Sequence, residues 1–252
     1  MIDIDDFNLG ALRQPVRHPG AFALNDDGSV AFGIDDQGAP VYGRLWQGDR
    51  AINTAIVGCT SSGTTNYLRG LLKIADESPL VDALVFDADG DHFGLGQPHA
   101  VIGSDEAAGA LNTLAAEVER RLSAGSWIGP TVNQPLLLLL CQSFDQLIGQ
   151  HARSSCRLSS AIRHLARVGP KAGLAFAVTV PEPTLECFGE TGIRSLLFAG
   201  NLIALRSTSR NAGYLLPTQL PSDLWDLPRD LPGVGFLAGH PRPFRSYLTG
   251  GE

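Results

Sequence analysis

The sequence predicts an α/β fold, a mostly parallel sheet flanked by helices, with β-hairpins opening and closing the chain. Three observations carry this reading. Short apolar runs alternate with stretches whose apolar residues recur at helical spacing, the pattern of parallel strands joined by right-handed crossovers. The run Pro135-Leu-Leu-Leu-Leu-Leu-Cys141 is apolar on both faces, as a central strand of a covered parallel sheet must be. Thr54-Ala-Ile-Val57 passes through Gly58-Cys-Thr-Ser-Ser-Gly63 into a segment with Leu68, Leu71 and Leu72 on one helical face, which reads as strand, tight loop and helix.

In order along the chain, residues 1–20 are acidic and then proline-punctuated, and read as a poorly ordered lead-in. Residues 21–252 form one domain, since no long polar linker interrupts them. Ala31-Phe-Gly-Ile34 and Val41-Tyr-Gly-Arg-Leu45, separated by the turn signal Asp35-Asp-Gln-Gly38, pair as the opening hairpin. After the first helix, Val81-Asp-Ala-Leu-Val-Phe86 is a buried strand ending in Asp87. Asp87 could hold magnesium, although an acidic, solvated strand exit fits better. Ser104 to Leu122 is a helix, with Ser104 as its cap, Asp105 and Glu106 in its first turn and Arg120 and Arg121 in its last. Asp145, just past the central strand, reads as a cap. Ser159 to Val168 is a helix with Ile162, Leu165 and Ala166 inward. Leu174 to Val180 is a strand, Gly192 to Phe198 a short helix and Asn201 to Arg206 a strand. Gly235-Phe-Leu-Ala238 and Pro243 to Leu248 make the exit hairpin about Gly239-His-Pro241.

Composition excludes several classes. At 252 residues and 44% hydrophobic content the chain can bury a proper core. A formal charge of −7 argues against a broad basic face for nucleic acid or anionic lipid, so DNA contact has no support from charge. Cys59, Cys141, Cys156 and Cys187 are far apart with no paired spacing, which suggests neither a zinc site nor a disulfide framework and makes a reduced, cytoplasmic setting the default. No signal-peptide profile opens the chain, and the longest wholly apolar run, Leu136 to Cys141, is too short to cross a bilayer. Recruitment to the inner face of a membrane would fall to a partner.

The loop Gly58, Cys59, Thr60, Ser61, Ser62, Gly63, Thr64, Thr65 has the G-x-x-x-x-G spacing of a phosphate-binding P-loop, in which backbone N–H groups converge on an anion at a helix N-terminus. Thr64 stands where that motif has lysine. A hydroxyl supplies one hydrogen bond and no charge, a loss of roughly 1.5–3 kcal/mol of nucleotide affinity. Of the two lysines, Lys73 lies about 13 Å further along the helix axis, and Lys171 is remote in sequence. The same residues also suit an ordinary Gly/Ser/Thr turn between strand and helix. His92, in Gly90-Asp-His-Phe-Gly-Leu-Gly96, has no partner at ligand spacing and reads as a loop residue. The loop serines have no base in local reach, so nucleophilic catalysis is unsupported. Cys59 reads as a small buried turn residue.

Taken together, several segments resemble the motor domain of the FtsK/SpoIIIE family of DNA-pumping ATPases, within the HerA/FtsK superfamily. Phe32 to Val41 is similar to that family's approach to its P-loop, Gly58 to Thr65 to its Walker A motif, and Val85-Phe-Asp-Ala-Asp-Gly90 to its Asp-Pro-Lys-Gly turn. Leu136 to Leu147 resembles its Walker B strand, which usually ends Asp-Glu-Phe-Ala-Asp-Leu, and Gly192 to Arg210 looks most like the TraB-type conjugal translocases. The EccC-type ATPases of type VII secretion are a second neighbourhood. The resemblance implies a RecA-like P-loop NTPase core with ATP bound between subunits of a ring.

The departures fall on the chemistry. Thr64 replaces the Walker A lysine, Gln142 and Ser143 replace the Walker B Asp-Glu pair, Asp89 replaces the lysine of the Asp-Pro-Lys turn, and Val180 follows Thr179 where a polar sensor residue is usual. The expectation is therefore a pseudo-ATPase with no catalytic residues, no metal and no cofactor of its own. It acts as a binding or assembly partner of an active FtsK-like ATPase, or of itself in a ring. Arg194 and Arg206 are candidates for trans contacts to a neighbour's nucleotide, or are ordinary surface arginines. The alternatives are an atypical ATP-dependent DNA translocase in conjugal transfer or chromosome segregation, using ATP and magnesium held by Asp87 or Asp145, and a non-hydrolysing nucleotide sensor.

Overall fold

The computed structural model describes residues 4–17, 24–87, 101–102, 106–149, 155–207, 215–217, 220–221 and 224–249. Its centre is a run of parallel strands: β6 (Thr54–Val57), β7 (Val81–Asp87), β8 (Val101–Ile102), β9 (Leu136–Gln142), β10 (Leu174–Val180) and β11 (Asn201–Leu205), in spatial order β11-β6-β10-β9-β7-β8. The central position expected of the leucine run holds, because β9 is paired on both sides, Leu138 opposite Ala175 of β10 and Ala83 of β7.

The sheet continues past β11 in antiparallel sense. The exit hairpin β12 (Val234–Leu237) and β13 (Pro243–Leu248) joins β11 to the opening hairpin β2 (Ser29–Asp35) and β3 (Pro40–Arg44). Both hairpins are legible in the sequence; their fusion into one sheet through β13 and β2 is not. A separate two-stranded ribbon, β4 (Trp46–Gln47) and β5 (Arg50–Ala51), precedes β6.

Alternation along the strands divides the core in two. Ala55, Val57, Leu139, Cys141, Phe176 and Val178 face one apolar cluster, shared with α2 (Ala107–Ala124), α3 (Phe144–Gly149), α4 (Ser155–Val168) and α6 (Thr191–Phe198). Ile56, Leu138, Leu140, Ala175 and Ala177 face the other, shared with α1 (Thr64–Glu77) through Tyr67, Leu68, Leu71 and Leu72. A short helix α5 (Leu185–Phe188) links β10 to α6. Ile162, Leu165 and Ala166 of α4 are buried, as their spacing requires. Ser104 and Asp105 lie outside the described residues.

Two expectations need correction. The acidic stretch read as a lead-in is docked: residues 4–17 form 3-10 turns at Ile4–Asp6 and Leu9–Leu12 and a short strand β1 (Val16–Arg17) parallel to β13. Ile4 and Leu12 are buried, and the Phe7 ring packs edge-on against Phe236 at 5.7 Å. Polar and apolar residues are equal in number here with no helical or strand period, and the apolar side chains find partners only in the assembled sheet. Asp87 is not solvated either. It is 2% exposed and sits in register with Gln142, because β7 runs one residue further into the sheet than its apolar pattern indicates.

Candidate functional site

The C-terminal ends of β6, β9 and β10 open onto a cleft of about 330 Å³, the place where a parallel sheet presents its loops to a ligand. From the P-loop it is lined by Gly58, Thr60, Ser61, Thr64 and Thr65, and from the end of β10 by Thr179, Val180 and Pro181. The end of β9 and first turn of α3 add Gln142, Ser143, Asp145 and Gln146. Asp145 thus lies in the first turn of a helix, where a cap or a ligand can stand.

The loop is shaped by its own backbone. Gly58 N–H donates to the Val180 carbonyl and Cys59 N–H to the Arg206 carbonyl, both at 3.0 Å, which fixes the start of the loop between β10 and β11. Ser62 N–H donates to the Cys59 carbonyl at 3.0 Å, closing a turn over Thr60 and Ser61, with Ser61 at φ 63°. Gly63, at φ 102°, then starts α1. Both glycines of the motif are sterically required. A Cβ on Gly58 would stand 2.5 Å from Ser62 Oγ, and one on Gly63 would stand 2.6 Å from the backbone nitrogen of Gly233. Cys59 and Ser62 are buried beneath the loop, so five of its eight residues face the cleft.

At the end of β9, Ser143 adopts φ 52° and donates its N–H to Thr179 Oγ1 at 3.0 Å. Thr179 therefore fixes the strand end that Gln142 and Ser143 occupy. The Cys141 thiol is pushed up, mainly by burial and further by the Asp145 and Asp87 carboxylates, which favours its protonated form. The same effect shows both carboxylates near the end of β9.

Among the described residues lining the cleft, none is Lys, Arg or His. The only positive contribution from that lining is the partial charge at the N-terminus of α1, where the first-turn N–H groups and the hydroxyls of Thr64 and Thr65 stand ready for an anion. Lys73 is exposed near the far end of α1, and Lys171 lies in the 3-10 turn Gly169–Ala172 before β10. Among the described residues no group of three or more His, Cys, Asp or Glu could hold a metal.

Arg194, on α6, donates Nη1–H to the Pro183 carbonyl at 3.0 Å. Arg206 follows β11, its carbonyl tied to the P-loop, and neither arginine lines the cleft. Asp89 and His92 lie outside the described residues. Sequence reasoning missed Gln146 and Pro181, which reach the cleft through the turns after β9 and β10, and Gly233, which braces the loop from the exit hairpin. The Pro232-Gly233 pair is a turn signal for the last of these.

No family model and no curated protein matches this chain. Solved structures do. The pCW3 conjugation coupling protein TcpA, whose structure carries ATPγS, superposes with a TM-score of 0.75 at 17% identity over 94% of this chain and 70% of its own. The cytoplasmic domain of the type VII secretion ATPase EccC from Thermomonospora curvata gives 0.68 at 20% identity, over 92% of this chain and 30% of EccC. EssC (ATPases 2 and 3) from Geobacillus thermodenitrificans gives 0.69 at 13%, over 94% of this chain and 47% of EssC. The chain thus spans less than half of the EccC and EssC chains. At these identities the likeness is one of fold, and it is the RecA-like P-loop ATPase fold that the sequence resemblance implies. Among the described residues no helix is long and apolar enough to cross a membrane.

Proposed function

We propose that this FtsK-like P-loop domain has lost hydrolysis and acts by binding, as an assembly partner of an active DNA translocase or secretion ATPase, or of further copies of itself in a ring. One observation carries the reading: Thr64, Gln142 and Ser143 face a single cleft. These are the positions where the resemblance puts the phosphate-binding lysine, the magnesium acid and the catalytic acid. Phosphoryl transfer depends almost entirely on charge placed around the γ-phosphate, so three neutral side chains together remove its main source of rate. The apolar strands and turn glycines that build the cleft remain, which is what a retained binding shape requires. Arg194 and Arg206 are the residues to test as trans contacts, and a cytoplasmic location with recruitment by the partner follows from this reading. Co-purification with an active FtsK-like ATPase and ATP turnover at the no-enzyme background are expected. Sizing and pull-down that find neither partner nor self-association would count heavily against it.

A second reading, an atypical ATP-dependent DNA translocase, draws on Asp145 in the cleft and Asp87 buried at the neighbouring strand end. Either could hold magnesium in place of the strand-end acid. DNA-stimulated ATP turnover that disappears in Gly63→Ala would establish this reading and overturn the first. A non-hydrolysing nucleotide sensor would use the N–H groups and hydroxyls at the start of α1 to cradle phosphate. It requires submillimolar ATP binding by calorimetry.

A further inference from the structure

We infer that residues 4–17 form a strap whose docking is thermodynamically linked to the shape of the P-loop, through the exit hairpin. A partner that draws the strap away loosens the loop, and a ligand that grips the loop tightens the strap. This goes beyond the proposed function and does not depend on what occupies the cleft.

Two routes join the strap to the loop. The first is the segment ahead of β12. Arg13 Nη1 donates to Asp230 Oδ2 at 2.8 Å, and three residues later Gly233 N–H donates to the Ser62 carbonyl inside the P-loop at 2.6 Å. The Tyr67 hydroxyl of α1 donates to the Gly233 carbonyl at 3.4 Å, and Gly233 leaves no room for a Cβ on Gly63. The second is β13, gripped from two sides. On the strap side, Arg245 Nη1 donates to the Leu12 and Arg13 carbonyls at 2.6 and 3.0 Å, and Val16 pairs with Tyr247. On the loop side, Asn66 Nδ2 in the first turn of α1 donates to Ser246 Oγ at 3.1 Å and to the Tyr247 carbonyl at 2.6 Å.

Residues 230–233 therefore touch the strap and the P-loop within one turn of chain, and residues 245–248 touch the strap and the first turn of α1 that follows the loop, with Ser246 N–H donating to the Gly233 carbonyl at 2.9 Å. Arg245 is 5% exposed, and burial lowers its pKa with no carboxylate offsetting that effect. Its Nη1 donates to the two strap carbonyls, so undocking the strap removes these acceptors from a buried cation and β13 must readjust. Linkage is reciprocal, and reciprocity is what separates this from simple packing.

Hydrogen exchange read by mass spectrometry on the full chain tests it. Leu12→Glu places a charge in a site that is 1% exposed and should undock the strap. Exchange in peptides spanning residues 58–67 and 230–234 is expected to rise about tenfold, with β9 and β10 unchanged. Phe7→Ala, a milder change at the strap's partly buried edge, should give the same pattern at smaller size and covers the case in which Leu12→Glu does not fold. In the reverse direction Ser246→Ala, which removes one of the Asn66 contacts, should accelerate exchange in residues 9–17. Faster strap exchange with the loop unchanged overturns the inference, as does a uniform rise that includes β9 and β10. ATP turnover plays no part in these readouts, so they stand or fall separately from the proposed function.

Discussion

Thr64 decides how the cleft treats a polyphosphate. Its side chain lies at the start of α1 facing Gln142 and Asp145, and a lysine there would bring the cation that the described lining lacks. Thr64→Lys is expected to tighten ATP binding on the order of 10- to 100-fold by calorimetry, one charge-assisted contact's worth, while turnover stays at background because Gln142 and Ser143 remain neutral. Gly63 is constrained differently. At φ 102° with Gly233 N 2.6 Å from any added Cβ, Gly63→Ala strains both loop and brace, and about 1–3 kcal/mol should be lost in urea unfolding. The sequence spacing pointed to both glycines. It could not show that one is held by a residue 170 positions away in the chain, because that neighbour is set only when the exit hairpin folds back onto the sheet.

At the scale of elements, α2 shows how a surface pattern can hide a structural anchor. Arg120 and Arg121 both read as last-turn cations, yet only Arg120 is exposed. Arg121 is 4% exposed and donates Nη1–H to the Pro135 carbonyl at 2.8 Å and to the Ala172 carbonyl at 3.2 Å, tying α2 to the starts of β9 and β10. Glu117 orients it through a 2.8 Å bond to Nε. The Arg120 hydrogen bond, with Arg121 adding to it, holds the Glu117 carboxyl down at about 2 against an ordinary value of 4.5. A lowered carboxylate pKa contributes stability above pH 4.5 and loses it as pH falls toward 2. Thermal unfolding should therefore show the wild-type Tm falling more steeply than that of Glu117→Gln across this window, the two converging at the acid end. The pair is partly exposed, so the difference is modest and shrinks with added salt.

For the whole molecule, the formal charge of −7 predicts weak contact with DNA. Retention on duplex DNA should require protein above about 10 µM at 0.15 M salt, and a mobility shift well below that concentration would restore the translocase reading. The sequence by itself determined the order of the longer strands and helices, the central leucine strand, both hairpins and the P-loop, since each rests on a local period or turn signal, whereas β1, the β4-β5 ribbon, β8 and α5 are too short to leave one. It also marked Thr64, Gln142 and Ser143 as chemically neutral. Only the tertiary structure decided that these three share one cleft, that Asp87 is buried beside Gln142, and that an acidic N-terminal stretch docks on β13. Those outcomes depend on which distant backbone supplies a hydrogen-bond acceptor or an apolar surface, and periodicity along a chain carries no record of what lies across the sheet.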